Sequence, residues 1–342
     1  MAGWNYSWIA QLNWDRNSWT APVDTARIPP RDDTGQATAR QVSALVGRLH
    51  PEANAPVPLF VFDAGYDPIS LTVACAATPA QLLVCIRDDR LFYAAPPDRC
   101  PGTAGRPRRH GAPFRCADPA DWPVPDATLV ATEPQCGRIE VTAWMGLHPR
   151  LSHRRRWSKP GDRPIMSSTV IRVDLEHLPR NTARAQKMLR PWWAGPASPL
   201  PDLDIFWRAY LLRFDIEHTL RFAKTTPDWN NPRARTPEQA DDRWTGLVIA
   251  GYNHLRLARG LVAHQRLPQE PPHSPARLPR MRRVLVNCFW SWVPPPERRN
   301  PARRGQEGPK VAGTARLPDT PPSSRPPDTV PEVKSQTEYG TD

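Results

Sequence analysis

The segment from Phe206 to Lys224, FWRAYLLRFDIEHTLRFAK, constrains the fold more than any other part of the chain. Its polar side chains follow the spacing Y-x2-R-x3-E-x6-K, and in a helix of about 100° per residue they fall within roughly 60° of one another. They are Tyr210, Arg213, Glu217 and Lys224. The remaining positions are mostly apolar, which predicts a helix that is buried over most of its circumference.

A buried face that carries a carboxylate and two cations needs charged partners or a metal. The Glu217 carboxylate is the kind of ligand that a hard cation prefers. Arg213 can donate two parallel hydrogen bonds from its planar guanidinium group to phosphate oxygens, and Lys224 can attract them with its compact ammonium charge. The alternative is a solvated face with a few ion pairs between neighbouring turns. The apolar surroundings favour the functional interpretation.

A second motif lies between Val57 and Asp67, with the sequence VPLFVFDAGYD. The run LFVF predicts a short buried strand that ends at Asp63 and is followed by a glycine turn and a helix. Open α/β sheets place their chemistry at the carboxyl ends of such strands. The alternative is that Asp63 only caps the following helix.

Both motifs resemble those of bacterial insertion-sequence transposases of the DDE type. Further segments are similar to the same family. The similarity covers roughly residues 3–261 and continues more weakly to about residue 313. These segments are GWNYSWIAQL, SWTAPVDTARIPP, GRPRRHG and EQADDRWTGLVIAGYNHLRLARGL. The resemblance implies a ribonuclease H-like α/β fold: a mixed sheet flanked by helices and interrupted by a β-rich insertion.

The resemblance also implies a role for each motif residue. Asp63 and Glu217 correspond to the second and third catalytic carboxylates and would ligate Mg²⁺ or Mn²⁺, while Tyr210, Arg213 and Lys224 would grip DNA near the scissile phosphate. The implied reaction is two-metal phosphoryl transfer on double-stranded DNA. It comprises cleavage at the transposon ends and strand transfer into the target. Self-association into a homo-oligomer is implied as well.

The chain departs from the family pattern at the first catalytic aspartate. That residue normally lies on a strand upstream of the GWNYSW segment, whereas Asp15 and Asp24 both follow this segment. We therefore expect a transposase that is truncated at its amino terminus and lacks the first aspartate. The alternatives are a non-catalytic DNA-binding remnant or regulator of transposition, and a ribonuclease H-like nuclease unrelated to mobile DNA.

The charge balance agrees with a nucleic-acid partner, because the formal net charge is +12. The basic run around Arg108 and Arg109 is a candidate DNA contact, with a solvated loop as the alternative. Trp192 and Trp193 could stack on an unpaired base for about 1–3 kcal/mol per base. The favoured alternative is that they pack the insertion onto the core.

Alternating patterns predict an α/β sheet, with strands near residues 5–13 and 82–87 besides the one before Asp63 and helices near residues 37–49 and 68–77. Further along, they predict a loop at 95–126, a hairpin at 128–144, a strand at 168–174 and helices at 237–264 and 276–290. The resemblance implies that residues 1–93 form the first part of the ribonuclease H-like core, that residues 94–200 are the β-rich insertion, and that residues 201–290 contain the helices that complete the core. Residues 291–342 form a basic, proline-rich tail that is predicted to be disordered.

The six cysteines form no C-x-x-C pair and no zinc spacing, which predicts free thiols. Neither a leader sequence nor a run of eighteen apolar residues is found, so we expect a cytoplasmic, nucleoid-associated protein without a membrane partner. Phosphate loops, H-E-x-x-H and G-x-S-x-G are absent too, which disfavours an ATPase, a zinc protease and an α/β-hydrolase.

Overall fold

The structure of the protein is a computed structural model. The structure describes residues 5–14, 20–49, 55–99, 102, 104–151, 164–177, 188–189, 191–195, 202–227, 229–230 and 237–258. All of these belong to a compact unit that spans Met1–Trp292. The second unit, Val293–Asp342, lies outside the described residues, and so does the predicted disordered tail.

An antiparallel hairpin and a helix begin the fold. Strands β1 (Asn5–Gln11) and β2 (Ala21–Ile28) pair with each other in a sheet of their own. Helix α1 (Thr34–Leu49) follows and buries the face that contains Val42 and Val46. Apolar side chains at helical spacing explain this one-sided burial.

A parallel β–α–β unit carries the second sequence motif. Strand β3 (Leu59–Phe62) is followed by helix α2 (Pro68–Ala74) and by strand β4 (Gln81–Cys85), which runs parallel to β3. Helix α2 has Pro68 at its first position and Asp67 as its N-cap, whose carboxylate accepts the backbone N–H groups of Ile69 and Ser70, each at 3.0 Å.

The sheet that begins with β3 and β4 continues through the predicted insertion. Its order among the described residues is β3-β4-β11-β9-β8-β5-β6, with β7 and β10 paired to β8 and β9. The additional strands are β5 (Leu91–Tyr93), β6 (Pro113–Arg115), β7 (Ala127–Glu133), β8 (Gly137–Pro149), β9 (Ser168–Leu175), β10 (Met188–Leu189) and β11 (Pro191–Ala194). Strand β11 pairs antiparallel with both β4 and β9, so one sheet unites the β–α–β unit and the insertion.

Helices α3 (Leu203–Leu212), α4 (Asp215–Thr225) and α5 (Pro237–Ala258) complete the described fold. The prediction of one continuous helix from Phe206 to Lys224 was wrong, because the backbone between α3 and α4 changes to i→i−3 hydrogen bonding. Phe214 N donates to Leu211 O at 3.2 Å, and Glu217 N donates to Phe214 O at 3.1 Å. Such 3₁₀ geometry turns about 120° per residue and ends the regular α-helical face.

Three apolar clusters form the core. The largest lies between the sheet and α3, where Ile139 and Ile171 meet Phe206, Trp207 and Tyr210. A second joins β5, β6, β8, β9 and β11. The third places α1 and α2 against β4, with Ile9 of β1 and Phe60 and Phe62 of β3 at its margin. The predicted mixed sheet with flanking helices is thus present, in an arrangement consistent with a ribonuclease H-like fold.

Most elements predicted from the pattern are found. The predicted 128–144 hairpin corresponds to β7 and β8, and the strand predicted at 168–174 corresponds to β9. The stretch 95–126, predicted as a loop, also contains β6 and a 3₁₀ turn at Pro119–Asp121. The helix predicted at 276–290 lies outside the described residues. None of the described helices is both long and apolar enough to cross a membrane.

Candidate functional site

Asp63 lies directly after β3, at the carboxyl end of a strand that has a parallel neighbour. Its Oδ1 atom accepts the Gly65 N–H at 3.0 Å, and its Oδ2 atom lies 3.9 Å from Nη1 of Arg213. The side chain is 54% exposed. The alternative that Asp63 caps the following helix is wrong, because Asp67 performs that function. Two motifs far apart in the chain therefore meet at this edge.

Arg213 ends α3 and points its guanidinium group toward Asp63. Its side chain is only 15% exposed. The guanidinium carbon lies 5.3 Å from the ring centroid of Tyr210 and 4.4 Å from that of Phe214, distances at which cation–π attraction stabilises the cation. The Nε atom is buried and has no hydrogen-bond partner among the described residues. Aromatic packing, more than ion pairing, thus holds Arg213 in place.

Tyr210 anchors α3 to the sheet. It is buried, and burial raises the pKa of its phenol above the ordinary range. The Cys85 thiol, at the end of β4, raises that pKa further, while Arg213 opposes the shift. The phenol therefore remains protonated at neutral pH and is a hydrogen-bond donor at the junction of β4 and α3.

Glu217 and Lys224 lie on α4, and both are exposed. The expectation that all four motif side chains share a buried face is therefore wrong for these two. Helix α4 itself is held firmly: the Thr219 hydroxyl lies 2.7 Å from that of Thr20 and 2.9 Å from that of Tyr252. This buried hydroxyl chain connects α4 to the residue before β2 and to α5.

The donor set for a divalent cation is incomplete in the described part of the chain. No group of three or more His, Cys, Asp or Glu side chains is arranged there to hold a metal ion. Asp63 faces the cation Arg213 instead, and Mg²⁺ needs several oxygen ligands in near-octahedral geometry. The described residues do not fit a metal site by themselves.

The predicted DNA contacts Arg108 and Arg109 are exposed on the loop before β6, an element separate from α3 and α4. Trp192 and Trp193 lie on β11 and are buried. Trp192 stacks on Phe92 with ring centroids 4.9 Å apart, and Trp193 Nε1 donates to Gln81 Oε1 at 3.2 Å. Both indoles are core residues in this fold, as the packing alternative expects.

A comparison with known families bears on the strand that ends at Asp63. Residues 2–150 match the family model of the DDE superfamily endonucleases. The match supports a DDE-type transposase domain, and with it a transposase-like nuclease function, DNA as the substrate and divalent metals as the usual cofactors of such enzymes. It includes Asp63 but not the segment that carries Glu217. No curated protein matches the chain.

Two residues near this edge and one buried hydroxyl chain were not anticipated from the sequence. Cys85 ends the strand beside β3, and since parallel strands end at one edge, its position after QLLV was a usable signal. Asp67 precedes a proline that begins a helix, which is a recognisable N-cap pattern. The Thr20–Thr219–Tyr252 chain had no local signal, because its members are far apart in sequence.

Proposed function

We propose that this protein is a DDE-type transposase whose described residues supply two of the catalytic carboxylates, Asp63 and Glu217, and a surface for double-stranded DNA. The observation that carries the proposal is the meeting of Asp63 with Arg213 at 3.9 Å. This contact joins two motifs: the strand motif with Asp63 lies within residues 2–150, which match the family model, and the helix motif with Arg213 lies outside that range.

The DNA-facing roles differ among the motif residues. Lys224 is exposed and can meet a phosphate as a point charge. Arg213 is mostly buried, so it would meet a phosphate only at the edge beside Asp63. Tyr210 would act through Arg213, which it contacts, rather than on the DNA backbone directly.

The open edge of β3 supports the proposal that a further strand supplies the third carboxylate. All four residues of β3 are apolar, yet each is only partly buried, and β4 is the strand's one neighbour among the described residues. An apolar strand of this kind is typical of a sheet interior. A strand from outside the described residues that paired parallel with β3 would end beside Asp63.

The incomplete donor set favours a second candidate, a non-catalytic DNA-binding regulator of transposition. A protein in which Asp63 faces arginine and the described residues assemble no metal site can still bind DNA through exposed cations. The two candidates share DNA binding and differ in cleavage.

Two assays separate them. Binding to duplex DNA is measured by fluorescence anisotropy over a salt series, and nicking of supercoiled plasmid is measured with Mg²⁺ or Mn²⁺. Lys224→Gln should reduce the slope of log K against log salt by about one. The matched control is Arg40→Gln, which removes an exposed cation on α1 that pairs with Asp32 at 2.8 Å. An unchanged slope in Lys224→Gln would contradict its phosphate role.

For the transposase, nicking should require metal and disappear in Asp63→Asn and in Glu217→Gln, while DNA affinity changes little. Glu140→Gln, an exposed acid on β8, is the control and should nick normally. Salt-sensitive binding without nicking in the unaltered chain would support the regulator instead. Loss of binding altogether would refute both.

A further inference from the structure

Two histidines meet beneath the basic loop 105–111, GRPRRHG. His110 Nδ1 lies 2.9 Å from His148 Nε2, and the two rings stack with centroids 5.1 Å apart. His148 is 1% exposed and lies near the end of β8, opposite Tyr93 of β5. The Tyr93 ring packs on His110 with centroids 5.1 Å apart.

The contact between His110 and His148 lies at the carboxyl end of the loop, where backbone hydrogen bonds also hold the chain. Next to His110, Gly111 N donates to Ala94 O at 2.9 Å, and Ala94 N donates to Ala112 O at 3.0 Å. Gly111 approaches so closely that an added Cβ atom would lie 2.2 Å from Ala95 O. These backbone hydrogen bonds and the histidine pair thus hold the carboxyl end of the loop that carries the exposed Arg106, Arg108 and Arg109, while Arg99 Nη2 donates to Gly105 O at 3.1 Å at the loop's other end.

The chemistry of the pair depends on its protons. A hydrogen bond between two imidazoles needs one N–H donor and one bare nitrogen, so it survives with both rings neutral or with one protonated. A second proton leaves no acceptor and places two cations in contact. The charged groups around the pair, Arg109 and Arg150, are also cationic and oppose further protonation.

We propose that the His110–His148 contact is a pH-sensitive latch: it holds the basic loop at neutral pH and releases it when both rings become protonated.

The groups around the two histidines determine whether the contact is stable at high or at low pH. Burial lowers the pKa of His148, and His110 lowers it further; the backbone groups of Arg109 and Gly146 oppose this but are outweighed. Burial also lowers the pKa of His110, followed by Arg150 and Arg109. Stability from groups with lowered pKa is present above the ordinary value of 6.5 and is lost as the pH falls below it.

Hydrogen exchange of residues 94–112, corrected for the intrinsic pH dependence of exchange, tests the latch in the full chain. As the pH falls from about 6.5 to about 5, opening should rise by up to about tenfold per pH unit for each proton taken up. His110→Gln keeps an amide for hydrogen bonding but cannot titrate, so its exchange should respond less to pH than that of the unaltered protein and should keep only the contribution of His148. The control His254→Gln, on the exposed side of α5, should behave as the unaltered protein does.

The variant is at a partly exposed position, so it spares the buried His148 and should fold. Equal pH dependence in His110→Gln and the unaltered protein would overturn the latch. Protection of residues 94–112 that stays constant over this pH range would overturn it too.

Discussion

The buried hydroxyl chain at Thr219 is the most direct test of how α4, and with it Glu217, is positioned. Thr219 is 1% exposed, and its hydroxyl is within hydrogen-bonding distance of Thr20 (2.7 Å) and Tyr252 (2.9 Å). Burial raises the pKa of the Tyr252 phenol, while its hydrogen bonds with Thr219 and Thr20 oppose that rise. The change Thr219→Val keeps the shape and removes the shared hydroxyl.

The expected cost can be worked from the bonds that are lost. Each intramolecular hydrogen bond stabilises the fold by about 1 kcal/mol net, and a buried hydroxyl left without a partner costs a further 1–3 kcal/mol or so. Thr20 and Tyr252 can still contact each other, as their interaction indicates, so at most one group is orphaned. The two lost bonds cost about 2 kcal/mol and an orphaned hydroxyl adds at most about 3 kcal/mol, so we expect Thr219→Val to reduce the free energy of unfolding by about 2–5 kcal/mol.

Urea denaturation followed by tryptophan fluorescence measures this change. The matched control is Thr225→Val on the same helix, where an exposed hydroxyl donates to Arg221 O at 2.9 Å; its effect should stay within about 0.5 kcal/mol. A loss below about 1 kcal/mol in Thr219→Val would show that the hydroxyl chain does not hold α4.

Three other outcomes are expected. Asp67→Ala should cost about 1 kcal/mol of unfolding free energy, because two N–H groups of α2 lose their cap; a change near zero in the same denaturation assay would contradict this role. Gly111→Ala should reduce the free energy of unfolding by about 1–3 kcal/mol, because the added methyl group would collide with the backbone of Ala95. Gly47→Ala on α1, where the added methyl group meets open space, should increase it by about 0.5–1 kcal/mol. Effects of the same sign in the two variants would refute the packing argument. Burial raises the thiol pKa of Cys75 and Cys136 to about 11, so native alkylation of both should be slow near pH 8 and should accelerate as the pH rises toward 11; rapid modification at pH 8, read by mass spectrometry, would contradict their burial.

Local pattern was sufficient for much of the fold. The strand before Asp63, the hairpin near residues 128–144 and the helix ending near Leu49 are each specified by the periodicity of a few adjacent residues, and the structure contains all three. The predicted burial of that strand was wrong, because all four residues of β3 are only partly buried. The four cysteines that the structure describes are free, as their spacing predicted. Asp63 was predicted as a site residue because a carboxylate directly after an apolar strand is a local signal.

The break between α3 and α4 could not be read in this way. Arg213 and Phe214 are compatible with a continuous helix, and both keep helical backbone angles. The change to i→i−3 hydrogen bonds depends on how Tyr210 packs into the core and how Thr219 is held by residues far along the chain. Helix propensities differ by only fractions of a kcal/mol per residue, so tertiary packing decides such a junction.

The sequence by itself determined the positions of most strands and helices and the chemical types available for a site, because periodicity and capping act over a few residues. Only the tertiary structure decided which of those residues meet. It brought Arg213 to Asp63, left Glu217 and Lys224 exposed, buried Trp192 within the sheet and joined His110 to His148. Such contacts depend on competition among distant surfaces for the same buried space, and no local pattern records the outcome.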